Sequence, residues 1–157
     1  MGKTDHIWRT DFAVAHTDCL ARSFRHWTGR ELAPGVSGPV ELARRVFEAR
    51  FVLVSHGIEA DPVLNYGNRA ALDLWEMTWE ELTRTPSRLT AEAPSQEDRA
   101  VLLAAVTERG FIEGYSGVRV SKSGRRFRIV NALVWNLRTD TGGPRGQAAI
   151  FDQWQYL

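Results

Sequence analysis

The residues of this chain that carry chemistry are few and scattered. Histidine stands at positions 6, 16, 26 and 56 and nowhere later, and cysteine only at position 19. His6, His16 and His26 are ten residues apart, a spacing that does not return to one face of a helix, so they do not read as a metal set. A single cysteine forbids an intramolecular disulfide and excludes cysteine-based zinc sites within one chain. The sequence has no GxSxG elbow, no HExxH pair and no GxxxxGK[ST] phosphate loop. Asp61 and Tyr66 are the nearest approach to an acid-base pair for proton transfer. They lie on one strand or its lead-in turn with opposite parity, so their side chains should point to opposite faces. No catalytic signature emerges, so the chain is read as a non-enzyme, with a small enzyme of unassigned chemistry as the last alternative.

Asn131 raises a different question. GYSGVRVSKSGRRFRIVNALVW, residues 114–135, reads as two strands joined by a tight turn. With Ser123-Gly124 as a two-residue turn, Val120 faces Phe127, Val118 faces Ile129, Ser116 faces Asn131, Gly114 faces Leu133 and Ile112 faces Trp135. An odd-length loop would mix the faces, which a period of two disfavours. One side is then apolar with Ser116 and Asn131 in its middle, and the other carries Arg119, Ser121, Arg126 and Arg128. A buried amide left unsatisfied costs roughly 1–3 kcal/mol. Asn131 therefore either bonds Ser116, a loop carbonyl or water, or it fixes a small molecule held against the sheet. The arginines lack interleaved aromatics and read as a solvated face rather than a nucleic-acid surface.

The elements that must position these residues follow from periodicity and punctuation. Trp8, Phe12, Ala15, Cys19, Leu20, Phe24 and Trp27 recur at steps of three or four and predict a helix over 5–28. VELARRVFEAR predicts a second, short helix. The Pro/Gly/Ser-rich ELAPGVSGPVE stretch, residues 31–41, marks a soft boundary, giving an N-terminal helical extension (1–40) and a compact domain (41–157). The aromatic stripe of the first helix covers a core or forms a dimer contact. FVLVSHG and PVLNYGN read as strands. Asn68 caps the helix of NRAALDLWEM, and Thr78 with Glu81 forms a capping box. Ser95 is expected to cap the helix of QEDRAVLLAAVTER, which Gly110 stops. Three strands, near 111–121, 125–138 and 145–154, close the chain. The fold class is α+β, with helices gathered on one face of an antiparallel sheet.

Composition sets the outer limits. A chain of this length buries roughly 70 % of its unfolded surface and needs no metal or disulfide to fold. The formal charge of +1 gives no general drive toward nucleic acid or acidic membranes. No apolar run approaches the ~18 residues of a membrane span. MGKTDHIWRT has no secretory h-region, so a cytoplasmic location is expected. Six tryptophans and seven phenylalanines must fill a core or line a pocket or interface.

SHGIEADPVLNYGNRAALDLWEMTWEELTRTPSRLTAE, then RGFIEGYSGVRVSKSGRRFRI, VW and GQAAIF, resemble the MEKHLA domain family over about residues 40–154. DPVLNYGN, PSRL, GYSGVR and GRRFRI carry the likeness. That domain occurs alone in bacteria and cyanobacteria and at the carboxyl end of plant class III homeodomain-leucine zipper factors, and it is similar to PAS domains. The resemblance implies a PAS-like five-stranded antiparallel sheet with a cap of short helices, and a role in sensing or regulated dimerisation. Light-sensing flavin PAS domains need a Cys in the central helices, and haem PAS domains commonly take a His from the cap. The chain offers neither, so covalent flavin photochemistry and haem are not expected. What remains is a small organic ligand held noncovalently between cap and sheet, or no ligand. In a PAS-like fold the lining candidates are Tyr66, Trp75, Ser116, Asn131, Trp135 and Gln147, with Ser87 and Arg88 of PSRL closing the pocket. Arg88 is placed there as an anion binder, or else in a surface ion pair. The implied partners are a second copy or a signalling protein, without nucleic acid or membrane.

Overall fold

The computed structural model describes residues 3–91 and 93–157, with side chains left aside at 3–5, 93–96, 98 and 99. A 3₁₀ segment, Lys3–Arg9, leads into α1 (Asp11–Thr28) and α2 (Pro39–Phe47). Next come β1 (Val52–His56), β2 (Leu64–Gly67), α3 (Arg69–Trp75), α4 (Trp79–Leu82), a 3₁₀ turn at Ser87–Thr90 and α5 (Ala93–Arg109). The chain closes with β3 (Phe111–Val120), β4 (Arg126–Arg138), β5 (Pro144–Phe151) and β6 (Gln153–Tyr156). The five main strands form an antiparallel sheet in the order β2-β1-β5-β4-β3. The last expected strand breaks at Asp152, and its remainder, β6, pairs with the first half of β4.

Local signals place most of the helices as the sequence predicts. α1, however, starts at Asp11, where the Thr10 side chain accepts from the Ala13 amide, so Trp8 of the predicted 5–28 helix lies in the 3₁₀ segment before it. The Asn68 side chain accepts from the Ala71 amide and caps α3. The same fully buried amide accepts from Leu53 N–H and donates to Val46 O and Phe51 O. It thereby ties α2, β1 and α3 together with all its capacity used. Thr78 and Glu81 complete their capping box at α4. α5 begins at Ala93, so Ser95 lies inside the helix rather than at its cap, and its side chain is outside the described residues. Gly110, at φ +98°, ends α5 against the ring of Trp27.

Both faces of the sheet are covered. α3, the 3₁₀ turn and α5 form the cap on one face, while α4 sits beside β2 with Leu82 and Trp79 in the cluster on the α1 side. On the other, α1 buries Cys19, Leu20 and Phe24 in one cluster with Val46, Phe47, Leu53 and Trp135. Trp27 Nε1 donates to Asn136 O, and Ser23 Oγ accepts from Arg138 N–H, so polar bonds also pin α1 to β4. The helix expected as an extension packs into the same core as residues 41–157. Its stripe covers the sheet through Cys19, Leu20, Phe24 and Trp27, while Phe12 and Ala15 are exposed.

The hairpin register differs from expectation. Ser121 and Arg125 pair, Val120 faces Arg126, Arg119 faces Phe127 and Gly117 faces Ile129. The loop is Lys122-Ser123-Gly124, three residues with Gly124 at φ +89°, a turn followed by a left-handed residue. Tertiary bonds select it. The Glu76 carboxylate accepts from Ser121 Oγ and Ser123 N–H, and Lys122 N–H donates to Trp75 O. The one-residue shift takes Arg119 and Ser121 out of the solvated face, and both are buried. Arg126 and Arg128 stay exposed as expected.

Asn131 explains how two apolar halves of one strand serve two faces. It sits at φ +55°, in a bulge where Val130 and Asn131 oppose Ser116, and its N–H donates to Ser116 Oγ. A bulge shifts the pleat by one residue. Phe127 and Ile129 therefore face the cap before it, and Ala132 and Val134 after it. Leu133, Trp135 and Leu137 face α1. Asparagine tolerates the left-handed region better than other non-glycine residues. The Asn131 side chain is exposed, so the expected buried amide on an apolar face is corrected to a bulge residue at the surface.

Candidate functional site between cap and sheet

A cavity of about 70 Å³ lies between the cap and the sheet. Val54, Leu64, Leu102, Ile129 and Val134 supply apolar wall, and Trp75, Ser87, Tyr115, Arg119 and Gln147 supply the polar groups. At roughly 15 Å³ for one water, the space admits about five waters or a molecule of a handful of heavy atoms. An open groove of about 600 Å³ beside the β4–β5 end shares His56, Leu103 and Gln147 with the cavity.

Gln147 reaches this position because β5 pairs Gln147 with Asn136 and His56. Its Nε2 faces Leu103 O at 3.1 Å, and Thr107 Oγ1 and Asn136 Oδ1 at 3.0 Å each. All three must accept, because Thr107 donates its proton to Leu103 O and the Asn136 amide nitrogen donates to Val106 O. The amide orientation follows, and Gln147 Oε1 is left buried without a partner among the described residues. Trp75 is 2 % exposed, held edge-on by Phe127 and Phe151, and its Nε1 is likewise buried and unpartnered. An acceptor and a donor are thus both unsatisfied in residues that line one cavity.

Two further polar groups come from β3. Tyr115 and Arg119 share the cap face, and Arg119 donates from Nη2 to Tyr115 Oη and from Nη1 to Val118 O, each at 2.9 Å. Both escaped the sequence reading because a register one residue away puts Arg119 on the solvated side. The available signal was Gly117 between them, a strand residue with no side chain of its own.

The other predicted lining residues fall elsewhere. Tyr66 is fully buried on the α1 face, its ring 5.6 Å from those of His16 and Trp79. Burial pushes its phenol well above the usual range, with the Thr17 hydroxyl opposing weakly. Trp135 packs edge-on to Phe24, also on the α1 face. Ser116 and Asn131 are exposed on the bulge. Arg88 pairs with Asp61 at 3.2 Å at the surface, the ion-pair alternative read from PSRL. That pairing also separates Asp61, exposed, from Tyr66, sealed in the core. Of the eight candidates the cavity brings together Trp75, Ser87 and Gln147.

On the α1 face His16 is 1 % exposed and stacked on Phe12. Its Nε2 lies 2.9 Å from Ser55 Oγ, which donates to Asn65 Oδ1 at 2.6 Å. Ser55 therefore accepts from His16, which fixes the proton on Nε2. Burial, aided by the charge of Arg145, lowers the His16 pKa to about 4. Among the described residues no group of three or more His, Cys, Asp or Glu is placed to hold a metal ion, and no helix is long and apolar enough to cross a membrane.

Comparison with known proteins agrees with this architecture. The crystal structure of a PAS domain from Colwellia psychrerythraea superposes with a TM-score of 0.60 at 14 % identity, covering 73 % of this chain and 92 % of that one. The structure of an RNA-binding light-oxygen-voltage receptor superposes with a TM-score of 0.65 at 18 % identity, covering 79 % of this chain and 36 % of that one. The fold is PAS-like. By sequence, the homeobox-leucine zipper protein HOX32 of Oryza sativa subsp. indica is 23 % identical over 139 residues, 88 % of this chain but 16 % of the rice protein. The family model described as MEKHLA domain matches residues 14–156, which takes in α1 as well as the stretch carrying the motifs. A match over nearly the whole chain, from α1 to β6, settles the kinship: the chain belongs to the MEKHLA domain family.

Proposed function

We propose that the chain is a sensory or regulatory module that binds a small organic molecule between cap and sheet and passes its occupancy to a second copy or a partner protein. One observation carries this reading: two residues lining the cavity, Trp75 and Gln147, have Nε1 and Oε1 buried and without a partner among the described residues. Each unmet group costs about 1–3 kcal/mol, so a bound molecule that meets both offsets a sizeable penalty. The PAS-like fold supports a sensory role by analogy only, since one fold hosts many functions. Gln147, shared by the cavity and the open groove, stands where such a molecule would enter.

A second reading, a ligand-free interaction module, draws on the cavity's size. At about 70 Å³ it is well below the ~300 Å³ at which most drug-sized pockets begin. Native beside denaturing mass spectrometry separates the two. The sensor reading expects a stoichiometric extra mass that is lost in Trp75→Phe and Gln147→Met, both of which stay folded. Unadorned protein that also gives no saturable response to small polar molecules supports the interaction module.

A further inference from the structure

We propose that the cavity takes a small hydroxylated carboxylate, with Arg119 as its anion anchor. This deepens the sensor reading above and rests on it.

Arg119 is 6 % exposed and lines the cavity. A buried guanidinium is ordinarily found paired with an acid, because an uncompensated charge in the interior is strongly unfavourable. Among the described residues Arg119 has no carboxylate. Its hydrogen bonds there go to Val118 O and Tyr115 Oη, both neutral, and its guanidinium carbon lies 5.5 Å from the Tyr115 ring centroid. These use two of the five N–H donors of a guanidinium. The Tyr115 oxygen accepts from Arg119, which leaves its own proton to donate.

The strand is shaped around this pair. A Cβ on Gly117 would lie 2.3 Å from Tyr115 Oη and 3.1 Å from Arg119 Nη1. Any other residue at 117 would displace the two side chains that cross over it. Arg119, Tyr115 and Trp75 together present donors with a positive charge and no matching anion. A planar carboxylate meets a guanidinium fork with two parallel hydrogen bonds. Val54, Leu102 and Val134 fit a short alkyl carbon, and Gln147 Oε1 asks for a donor, which a hydroxyl supplies. The volume limits the molecule to a few carbons.

Sodium lactate, lactamide and inorganic phosphate are the probes, titrated into the full chain at constant ionic strength and followed by protein-observed NMR. Lactate should saturably shift the backbone amides of Gly117 and Arg119 and the Trp75 indole N–H. Lactamide, the same size without the charge, should bind at least tenfold more weakly, as should phosphate. Arg119→Met should weaken lactate at least tenfold, and Tyr115→Phe severalfold. If Arg119→Met fails to fold, Tyr115→Phe and the lactate-lactamide comparison still decide. Equal binding of lactamide, tighter binding of phosphate, or lactate binding indifferent to Arg119 overturns the proposal. Lactamide that binds through Trp75 without Arg119 leaves the sensor reading standing and removes only the carboxylate. No titration by any probe, with unadorned protein in native mass spectra, removes both.

Discussion

Asn131 and Tyr66 show how the same kind of polar residue carries opposite meanings in two surroundings. Asn131 is retained by backbone conformation, not by anything its amide touches in a pocket. At φ +55° a β-branched residue is strained, whereas glycine is not. Asn131→Gly should therefore stay within about 0.5 kcal/mol of the parent, and Asn131→Val should lose about 1–2 kcal/mol, read by urea denaturation. Equal effects of the two would remove the bulge argument. Tyr66 has a hydroxyl buried between α1 and the sheet; the Thr17 hydroxyl near it spends its proton on Ala13 O, so no well-formed hydrogen bond reaches the phenol among the described residues. Removing an orphaned polar atom while keeping the ring deletes a desolvation cost. Tyr66→Phe should be neutral or more stable by about 1 kcal/mol in the same assay. A loss above about 1 kcal/mol would mean the hydroxyl has a partner that matters.

At the level of elements, α1 is a structural wall of the domain. Deleting residues 1–28 uncovers Leu53, Leu133 and Trp135 together and removes the bonds from Trp27 and Ser23 to β4. The truncated chain should be insoluble or unfolded by circular dichroism, and a folded, soluble truncation would place the helix outside the core. A milder test is Phe24→Ala, expected to cost about 3–5 kcal/mol because the ring packs edge-on to Trp135 with no solvent to fill the gap. The helices were legible in the sequence because their signals are local: Asn68 three residues before the amide it caps, the Thr78/Glu81 box, and Gly110 after α5. The order of strands and helices was legible for the same reason. The β3–β4 register was not, because a bond from Glu76, more than forty residues away, sets the turn that fixes it. Once the register moved by one, Arg119 changed faces and Asn131 changed from interior amide to bulge. The cavity residues on helices and on β5 survived that shift, and those on β3 did not. Trp75 and Ser87 depend on local punctuation, whereas Tyr115 and Arg119 depend on a pairing that only tertiary contacts decide.

For the whole molecule, the sheet is a partition with a cavity of about 70 Å³ on one side and a buried histidine on the other. Ser55 of β1 lines the cavity and accepts from His16 of α1, so a single residue of the sheet touches both. His16 makes global stability depend on pH, with a sign that burial dictates. Its pKa falls from 6.5 in the unfolded chain to about 4 in the fold. The fold thus favours neutral imidazole, and the unfolded chain takes up the proton first as pH falls. The stabilising contribution is complete above about pH 6.5 and is lost progressively toward pH 4, by about 3 kcal/mol in all. Urea midpoints measured from pH 7.5 to 4.5 should fall along that limb. His16→Gln keeps a donor for Ser55 and removes the titration, so its stability should start lower at pH 7.5 and fall less steeply across the same range. Parallel curves for parent and variant would show that carboxylates elsewhere, not His16, govern the acid limb.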